Sequence, residues 1–242
     1  MLESLSDMGG VLNSTKTIGI ILMGGVGSRF GGNIPKQYVK VKGTELFMHV
    51  AKDFEKNPLI DEIVFVASLD YLPLIGEILS REQFSKKFSY ALAGATREES
   101  AYNAINMLAE KEDKNTIVLI TDADRPRSGR YINEIVEKVK VGGAAVAACQ
   151  VTDSLAISDD GEHITQYQDR SKSILLQTPQ GVKLWILKKA MDKAGEKLSK
   201  FTDEGSIVLE MLQFAPLVCK TSPTNYKINT VDDMKRFEEE TL

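Results

Sequence analysis

The sequence predicts an α/β protein of the Rossmann-like class, in which helices flank a mostly parallel sheet that carries a β-arm extension. Short apolar runs alternate with segments whose apolar residues recur at helical spacing. Strands and helices in alternation imply parallel strands joined by right-handed crossovers. Glycine-rich or charged segments directly follow three of the predicted strands, and ligands bind beyond the carboxyl ends of the strands in such sheets.

The individual elements follow from the same patterns. Apolar runs predict strands at 18–23, 60–67, 88–92, 116–121, 144–151 and 217–220. Helical spacing predicts helices at 45–56, 71–79, 131–141, 182–194 and 204–211, one from Ser100 to about Lys111, and a last one from Val231 onward. Three short strands at 154–158, 164–167 and 173–176, separated by polar turns, indicate a β-arm over about 152–176 that pairs with another subunit.

Composition limits the class of protein. A chain of 242 residues with 43% hydrophobic and 26% charged residues can form one large core. The net charge of −4 gives no reason to expect a nucleic-acid partner, and no apolar run approaches the roughly 20 residues that span a membrane. The chain has two cysteines and two histidines, so a zinc site or a Ser-His catalytic triad is not expected.

The beginning of the chain differs from the rest. A signal peptide has a basic segment followed by an apolar core. Residues 1–16 lack this pattern and contain the acidic residues Glu3 and Asp7. We therefore expect residues 1–16 to be a disordered extension, residues 17–242 to form a single domain, and the protein to be cytoplasmic.

The first strand runs into a loop that contains five glycines between Gly24 and Gly32, with Arg29 inside it and Lys36 after it. Glycines let backbone N–H groups approach a polyanion closely, and the two cations favour phosphate. A dinucleotide-binding loop requires glycine where Phe30 stands, and the chain contains no P-loop string. A nucleotidyltransferase loop, Gly-x-Gly-x-Arg followed by Pro-Lys, fits better.

Motifs along the whole chain resemble those of the polyol-phosphate cytidylyltransferases, the families that act on 2-C-methyl-D-erythritol 4-phosphate or ribitol 5-phosphate. These motifs, in chain order, are Gly24-Gly25-Val26-Gly27-Ser28-Arg29-Phe30-Gly31, Pro35-Lys36-Gln37, Gly94-Ala95-Thr96-Arg97 with Ser100, Asp122-Ala123-x-Arg125-Pro126, Asp153-Ser154, Arg170, Gln177-Thr178-Pro179-Gln180, Thr202-Asp203 and Asn225-Tyr226-Lys227-Ile228. The resemblance implies a fold of the nucleotide-diphospho-sugar transferase type and a reaction of CTP with a polyol phosphate that gives a CDP-polyol and pyrophosphate.

The resemblance also implies residue roles. Arg29, Lys36 and Lys227 would be catalytic, because they would hold the triphosphate and stabilise charge on the α-phosphate. The implied nucleotide-binding residues are Met23, Gly24, Gly25, Gly27, Gly94, Ser100, Asp122 and Ala123. Asp122 would also bind Mg²⁺, the implied cofactor. The implied substrate-binding residues are Ser154, Arg170, Thr178 and Arg125, and the implied assembly is a homodimer formed through the β-arm.

Two departures from the family pattern leave alternatives open. Thr121 stands where histidine is common, and Asp124 adds a second carboxylate that could serve the metal or turn outward to pair with Arg125 or Arg127. In the arm, Asp153-Ser154-Leu155-Ala156 lacks the usual lysine, which favours the ribitol-phosphate group, whereas 94–100 favours the erythritol-phosphate group. The acceptor therefore stays open. Rival hypotheses are a nucleotidyltransferase for another sugar phosphate or base, a nicotinamide-dependent oxidoreductase and an inactive nucleotide-binding homologue.

Overall fold

A computed structural model describes residues 15–25 and 34–240 of the chain. Four parallel strands form one half of its central sheet: β1 (Thr17–Leu22), β4 (Glu62–Ala67), β5 (Phe88–Leu92) and β6 (Ile117–Asp122). Every residue of β1, β4 and β6 is buried, as the continuous apolar runs predict for strands covered on both faces.

The other half of the sheet consists of β7 (Ala144–Gln150), β10 (Ile174–Lys183) and β11 (Leu217–Lys220). The strand order is β11-β7-β10-β6-β1-β4-β5. β10 runs antiparallel to both of its neighbours, β6 and β7, while all other pairs in this sheet are parallel. The sheet is thus mostly parallel, as predicted.

Helices cover both faces of the sheet. On one face lie α1 (Leu46–Lys56), α2 (Leu72–Arg81) and α4 (Ile132–Gly142), and on the other lie α3 (Arg97–Ala109), α5 (Leu184–Ala194) and α6 (Glu204–Leu212). Successive residues of one strand belong to different cores: Phe65 packs in the first, Val64 and Val66 in the second. A third, small cluster joins α7 (Val231–Glu240) to the segment after Lys36.

Smaller elements complete the described chain. A hairpin of β2 (Lys40–Val41) and β3 (Thr44–Glu45) turns through Lys42 and Gly43, both with positive φ, the conformation that two-residue hairpin turns require. Short 3-10 helices lie at Lys36–Tyr38, Leu69–Tyr71, Ser128–Tyr131, Arg170–Lys172 and Gly195–Lys200. The predicted arm contains a separate exposed hairpin of β8 (Leu155–Ile157) and β9 (Gln166–Gln168).

The predicted strands and helices are confirmed in type and approximate position, with two exceptions that both involve β10. The strand predicted at 173–176 as part of the arm is instead the beginning of β10, which pairs with β7 in the central sheet. Residues 182–183 belong to β10, so the prediction that a helix begins at Val182 is wrong; the helix begins at Leu184. Residues 1–14, most of the predicted extension, lie outside the described part of the chain, whereas Lys16 is described and forms an ion pair with Glu112 at 2.7 Å. Within the described ranges, no helix is long and apolar enough to cross a membrane.

Candidate active site

The carboxyl ends of β1, β5 and β6 converge on one cavity of about 420 Å³. Backbone hydrogen bonds continue beyond the strand ends and hold the three segments together: Met23 N–H donates to Val66, Ala93 N–H to Ala67, and Ala123 N–H to Leu22. The residues that line the cavity are Leu22, Met23, Gly24, Gly25, Lys36, Gln37, Ser68, Gly94, Ala95, Thr96, Arg97, Ser100, Asp122, Ala123, Asp124 and Lys227. The predicted convergence is therefore present.

The described start of the glycine loop is closely packed. A Cβ on Gly24 would lie 2.4 Å from the Cβ of Ala93, so only glycine fits there without displacement. The amide of Gln37 donates to the carbonyl oxygens of Met23 and Gly25, both at 2.7 Å, and thereby ties the loop to the segment that carries Lys36. Two predicted site residues, Gly27 and Arg29, lie outside the described residues.

A second wall of the cavity is the start of α3. Thr96 caps this helix by accepting a hydrogen bond from Glu99 N–H, and the Ser100 hydroxyl accepts from Gly94 N–H at 3.0 Å while it donates to the Thr96 carbonyl. A Cβ on Gly94 would lie 2.4 Å from the Cβ of Glu99. Ser100 therefore holds the Gly94 backbone against the helix, which positions both predicted nucleotide-binding residues at the cavity.

Two lysines meet two carboxylates at the cavity floor. Lys36 Nζ lies 2.7 Å from Asp124 Oδ2 and donates to the Ile228 carbonyl at 2.6 Å. Lys227 Nζ lies 3.3 Å from Asp122 Oδ2 and 3.6 Å from Asp124 Oδ1. Asp124 thus points into the cavity, and the alternative in which it turns outward to pair with an arginine is wrong.

Arg97 is the third cation that contacts the carboxylates of the cavity. The predicted site included neither Arg97 nor its partner Glu204. The guanidinium of Arg97 lies 3.0 Å from Asp122 Oδ1 and 2.9 Å and 3.3 Å from the two oxygens of Glu204. Burial by itself raises the pKa of Asp122, but the charges of Arg97, Lys227 and Arg125 outweigh it and hold that pKa well below its usual value. Asp122 is therefore an ionised carboxylate.

The signals for these missed residues were in the sequence. Arg97 belongs to the quoted motif Gly94-Ala95-Thr96-Arg97, and Glu204 directly follows Thr202-Asp203. Asp203 caps α6 by accepting from Ser206 N–H, which places Glu204 in the first helical turn, almost completely buried. Nothing in the local pattern showed that the two charges meet.

The residues predicted to bind the polyol phosphate occupy three different places. Thr178 is buried below the floor, where its hydroxyl accepts from Asp122 N–H at 3.3 Å. Arg125 is buried and donates to the Asn225 carbonyl, which ties β6 to the segment that carries Lys227. Ser154 and Arg170 are exposed in the arm and do not line the cavity of the single chain; Arg170 donates to the Thr152 carbonyl.

The carboxylates of the floor are suited to a hard cation. Among the described residues no group of three or more His, Cys, Asp or Glu side chains could hold a metal ion. Mg²⁺ is commonly held by one or two carboxylates together with substrate phosphates, so the pair Asp122 and Asp124 fits it. Asp124 Oδ1 is also buried and has no hydrogen-bond partner among the described residues, so this oxygen could contact a cation.

Comparisons with known proteins agree with this geometry. The chain matches a family model described as "IspD: 2-C-methyl-D-erythritol 4-phosphate cytidylyltransferase" over residues 17–239. It is 34% identical over 218 residues to the 2-C-methyl-D-erythritol 4-phosphate cytidylyltransferase of Thermosipho africanus, covering 90% of this chain and 94% of that protein. It is also 34% identical over 226 residues to the bifunctional ribulose 5-phosphate reductase/CDP-ribitol pyrophosphorylase Bcs1 of Haemophilus influenzae, covering 92% of this chain and 48% of that protein.

Solved structures show the same relationship. The crystal structure of Francisella tularensis 2-C-methyl-D-erythritol 4-phosphate cytidylyltransferase superposes with a TM-score of 0.78 at 28% sequence identity, covering 93% of this chain and all of that one. The structure of 4-diphosphocytidyl-2C-methyl-D-erythritol synthase from Anaerococcus prevotii superposes with a TM-score of 0.79 at 22% identity, covering 94% of this chain and 96% of that one. The second likeness supports the fold alone.

Proposed function

Because the chain belongs to the 2-C-methyl-D-erythritol 4-phosphate cytidylyltransferase family and is a nucleotidyltransferase, we propose that its cavity binds CTP and a polyol phosphate and joins them into a CDP-polyol. The arrangement of Lys36, Lys227 and Asp122 around one cavity carries this proposal. Two polyanions must meet there, and fixed cations reduce their repulsion. The whole of residues 17–242 acts as a single nucleotidyltransferase domain.

The chemistry is an in-line attack by the phosphate of the polyol on the α-phosphorus of CTP, with pyrophosphate as leaving group. A phosphate monoester with a second pKa of about 6 is largely dianionic at neutral pH, so it is already a nucleophile. Lys36, Lys227 and Arg29 stabilise the charge that develops on the α-phosphate and the leaving pyrophosphate. Gly24, Gly25 and Gly94 present backbone groups to the nucleotide at the same cavity.

Mg²⁺ is the proposed cofactor, and Asp122 is its proposed carboxylate ligand. When bound, Mg²⁺ would supply positive charge beside the phosphates and act as a Lewis acid. Asp122 is prepared for this role because Arg97 and Lys227 keep it ionised and orient its two oxygens in different directions. Thr178, which binds the backbone N–H of Asp122, positions this residue from below.

Two acceptors are supported by specific observations. The family model and the Thermosipho africanus relative favour 2-C-methyl-D-erythritol 4-phosphate, which we propose as the acceptor. The equally identical CDP-ribitol pyrophosphorylase, together with the arm segment Asp153-Ser154-Leu155-Ala156, favours ribitol 5-phosphate as the second candidate. Pyrophosphate release, measured with each of the four nucleoside triphosphates and both polyol phosphates, decides the question. Release with no combination would refute the proposed function.

The roles of the lysines have a kinetic test. Replacing Lys36 or Lys227 with Ala should lower kcat by roughly 10²–10³-fold if the ammonium groups act in the transition state. Arg29→Ala tests the same role for the residue of the glycine loop. Lys235→Ala, which removes an exposed lysine of α7, is the matched control and should leave kcat unchanged. A rise in KM at constant kcat would make these cations docking residues only.

We propose a homodimer formed through the arm, which exposes several large apolar side chains. Tyr167 is 73% exposed, Ile164 59% and Leu175 52%, and a second copy of the chain would cover them. Tyr167→Asp should lower the mass measured by light scattering from that of a dimer to that of a monomer. Val141→Asp, at an 88% exposed position on α4, is the control and should leave the dimer intact.

In the dimer, Ser154 and Arg170 of the partner subunit would bind the phosphate of the polyol. Two phosphate oxygens match the geometry of an arginine fork. A mixture of Lys36→Ala and Arg170→Ala subunits should recover part of the activity that each variant lacks alone, because mixed dimers contain one intact site. No recovery after subunit exchange would place Arg170 in its own subunit's site or outside the site.

A further inference from the structure

Asp124 is a carboxylate that the proposed chemistry does not use, although it lies at the centre of the cationic site. It is only 8% exposed, and it lines the cavity beside Asp122. Its Oδ2 pairs with Lys36 at 2.7 Å. Its Oδ1 is buried, has no hydrogen-bond partner among residues 15–25 and 34–240, and forms a longer ion pair of 3.6 Å with Lys227 Nζ. A buried oxygen with no hydrogen bond is costly and calls for an explanation.

Three acceptors from the described part of the chain surround the ammonium group of Lys36. An ammonium has three donors: Lys36 Nζ donates to the Ile228 carbonyl (2.6 Å) and to Asn229 Oδ1 (3.4 Å), and it lies 2.7 Å from Asp124 Oδ2 as an ion pair. The Asp124 backbone is held as well, since its carbonyl accepts from Ile228 N–H at 2.8 Å. Lys36 can therefore contact a triphosphate only by giving up a partner inside the chain.

A triphosphate that binds without a metal ion brings its negative charge close to the carboxylate of Asp124, whether or not Lys36 moves. If Lys36 turns to a phosphate, Asp124 keeps a buried negative charge, and the ion pair that it retains among the described residues is the longer one of 3.6 Å with Lys227. If Lys36 stays, Asp124 neutralises it and faces the incoming polyanion. Both cases bring a phosphate charge close to a buried carboxylate, where repulsion is stronger than in bulk water. A divalent cation between Asp124 and the phosphates would remove the conflict.

We propose that Asp124 couples nucleotide binding to a divalent cation, so that the site accepts CTP with Mg²⁺ and rejects CTP alone. The inference rests on the proposed function, in which CTP is the nucleotide. Asp124 Oδ1, which accepts no hydrogen bond from the described residues, would hold the cation, and Asp124 would then no longer depend on Lys36 to balance its charge. Asp124 thereby acts on affinity, in a step before the transfer reaction.

The test is calorimetric titration of the full chain with CTP, once in Mg²⁺ and once in EDTA. Wild-type protein should bind CTP at least about tenfold more tightly with Mg²⁺. The reason is that an uncompensated carboxylate charge about 4 Å from a phosphate weakens binding by an order of magnitude or more. Asp124→Asn keeps the shape of the side chain and removes its charge. In this variant binding in EDTA should strengthen, and the ratio of the two affinities should fall below about threefold.

Three controls make the result decisive. Asp124→Glu restores the charge and should restore the dependence on Mg²⁺, which separates charge from a loss of packing. Asp70→Asn removes an exposed carboxylate close in sequence to the lining residue Ser68 and should behave as wild type. An unchanged affinity ratio in a folded Asp124→Asn protein would overturn the coupling alone, whereas wild-type protein that binds no CTP in either buffer would overturn the proposed function and this inference together.

Discussion

Replacement of Glu204 by Gln tests whether a buried ion pair holds the carboxylate wall of the site. Glu204 is 1% exposed, and its two oxygens lie 2.9 Å and 3.3 Å from the guanidinium of Arg97, which also contacts Asp122 at 3.0 Å. Glutamine has the same shape but no charge, and it offers one oxygen acceptor in place of two. Among the described residues, the change therefore leaves Arg97 with a charge-assisted hydrogen bond to Asp122 and a long ion pair of 3.9 Å with Glu98.

The size of the effect follows from burial. Exposed ion pairs contribute about 0–1 kcal/mol, whereas breaking a fully buried pair costs about 3–5 kcal/mol. Arg97 is 23% exposed and keeps Asp122, and the new amide keeps one acceptor, so the cost lies between these limits. We expect the free energy of unfolding to fall by about 2–3 kcal/mol, which for a chain of this size corresponds to a decrease in Tm of about 4–12 °C.

Urea unfolding of wild type and variant at one pH measures this difference. Glu137→Gln is the control, because Glu137 forms a pair of similar length, 2.7 Å to Lys140, on the exposed surface of α4. It should change the free energy of unfolding by less than about 0.5 kcal/mol. If Glu204→Gln changes it by less than about 1 kcal/mol, the contact with Arg97 does not hold the site together in the way that its burial implies.

Three further predictions concern the walls of the site and the packing of α1. Gly94→Ala should lower the free energy of unfolding by about 1–3 kcal/mol, because its Cβ would lie 2.4 Å from the Cβ of Glu99. Gly25→Ala, whose Cβ would meet none of the described residues within 4 Å, should leave it unchanged, and equal Tm values for the two variants would contradict this. Gln37→Leu removes the donor to two carbonyl groups of the glycine loop and should raise KM for CTP at least severalfold, an effect that an unchanged KM would refute. Burial lowers the pKa of His49 below its ordinary value of 6.5 in the folded chain. As the pH falls, the imidazole is therefore protonated in the unfolded chain before it is protonated in the folded one, and the free energy of unfolding should decrease as the pH drops through 6.5. His49→Gln should flatten this dependence in acid-range unfolding curves, and an unchanged slope would exclude His49 as its source.

Most of the fold could be predicted from local patterns because its strands are buried on both faces. The apolar runs of β1, β4 and β6 are continuous, which only a core strand requires. The central part of β10 has no such apolar run, because it contains the buried polar side chains Gln177 and Gln180. Their partners come from distant segments: Gln177 Oε1 accepts from Asn225, and Gln180 Oε1 accepts from Gly205 N–H. A polar strand of this kind has no local signature.

The candidate site also has features that local sequence motifs predict and features that depend on contacts between distant segments. The sequence by itself determined which residue types face the cavity, because Lys36, Asp122 and Lys227 stand in recognisable motifs and parallel strands bring their ends to one edge. Only the tertiary structure decided which charges meet. Arg97 and Glu204 are 107 residues apart, and the contact of Lys36 with the Ile228 carbonyl spans 192 residues. Electrostatic pairing depends on distance in space, and no periodicity along the chain encodes that distance.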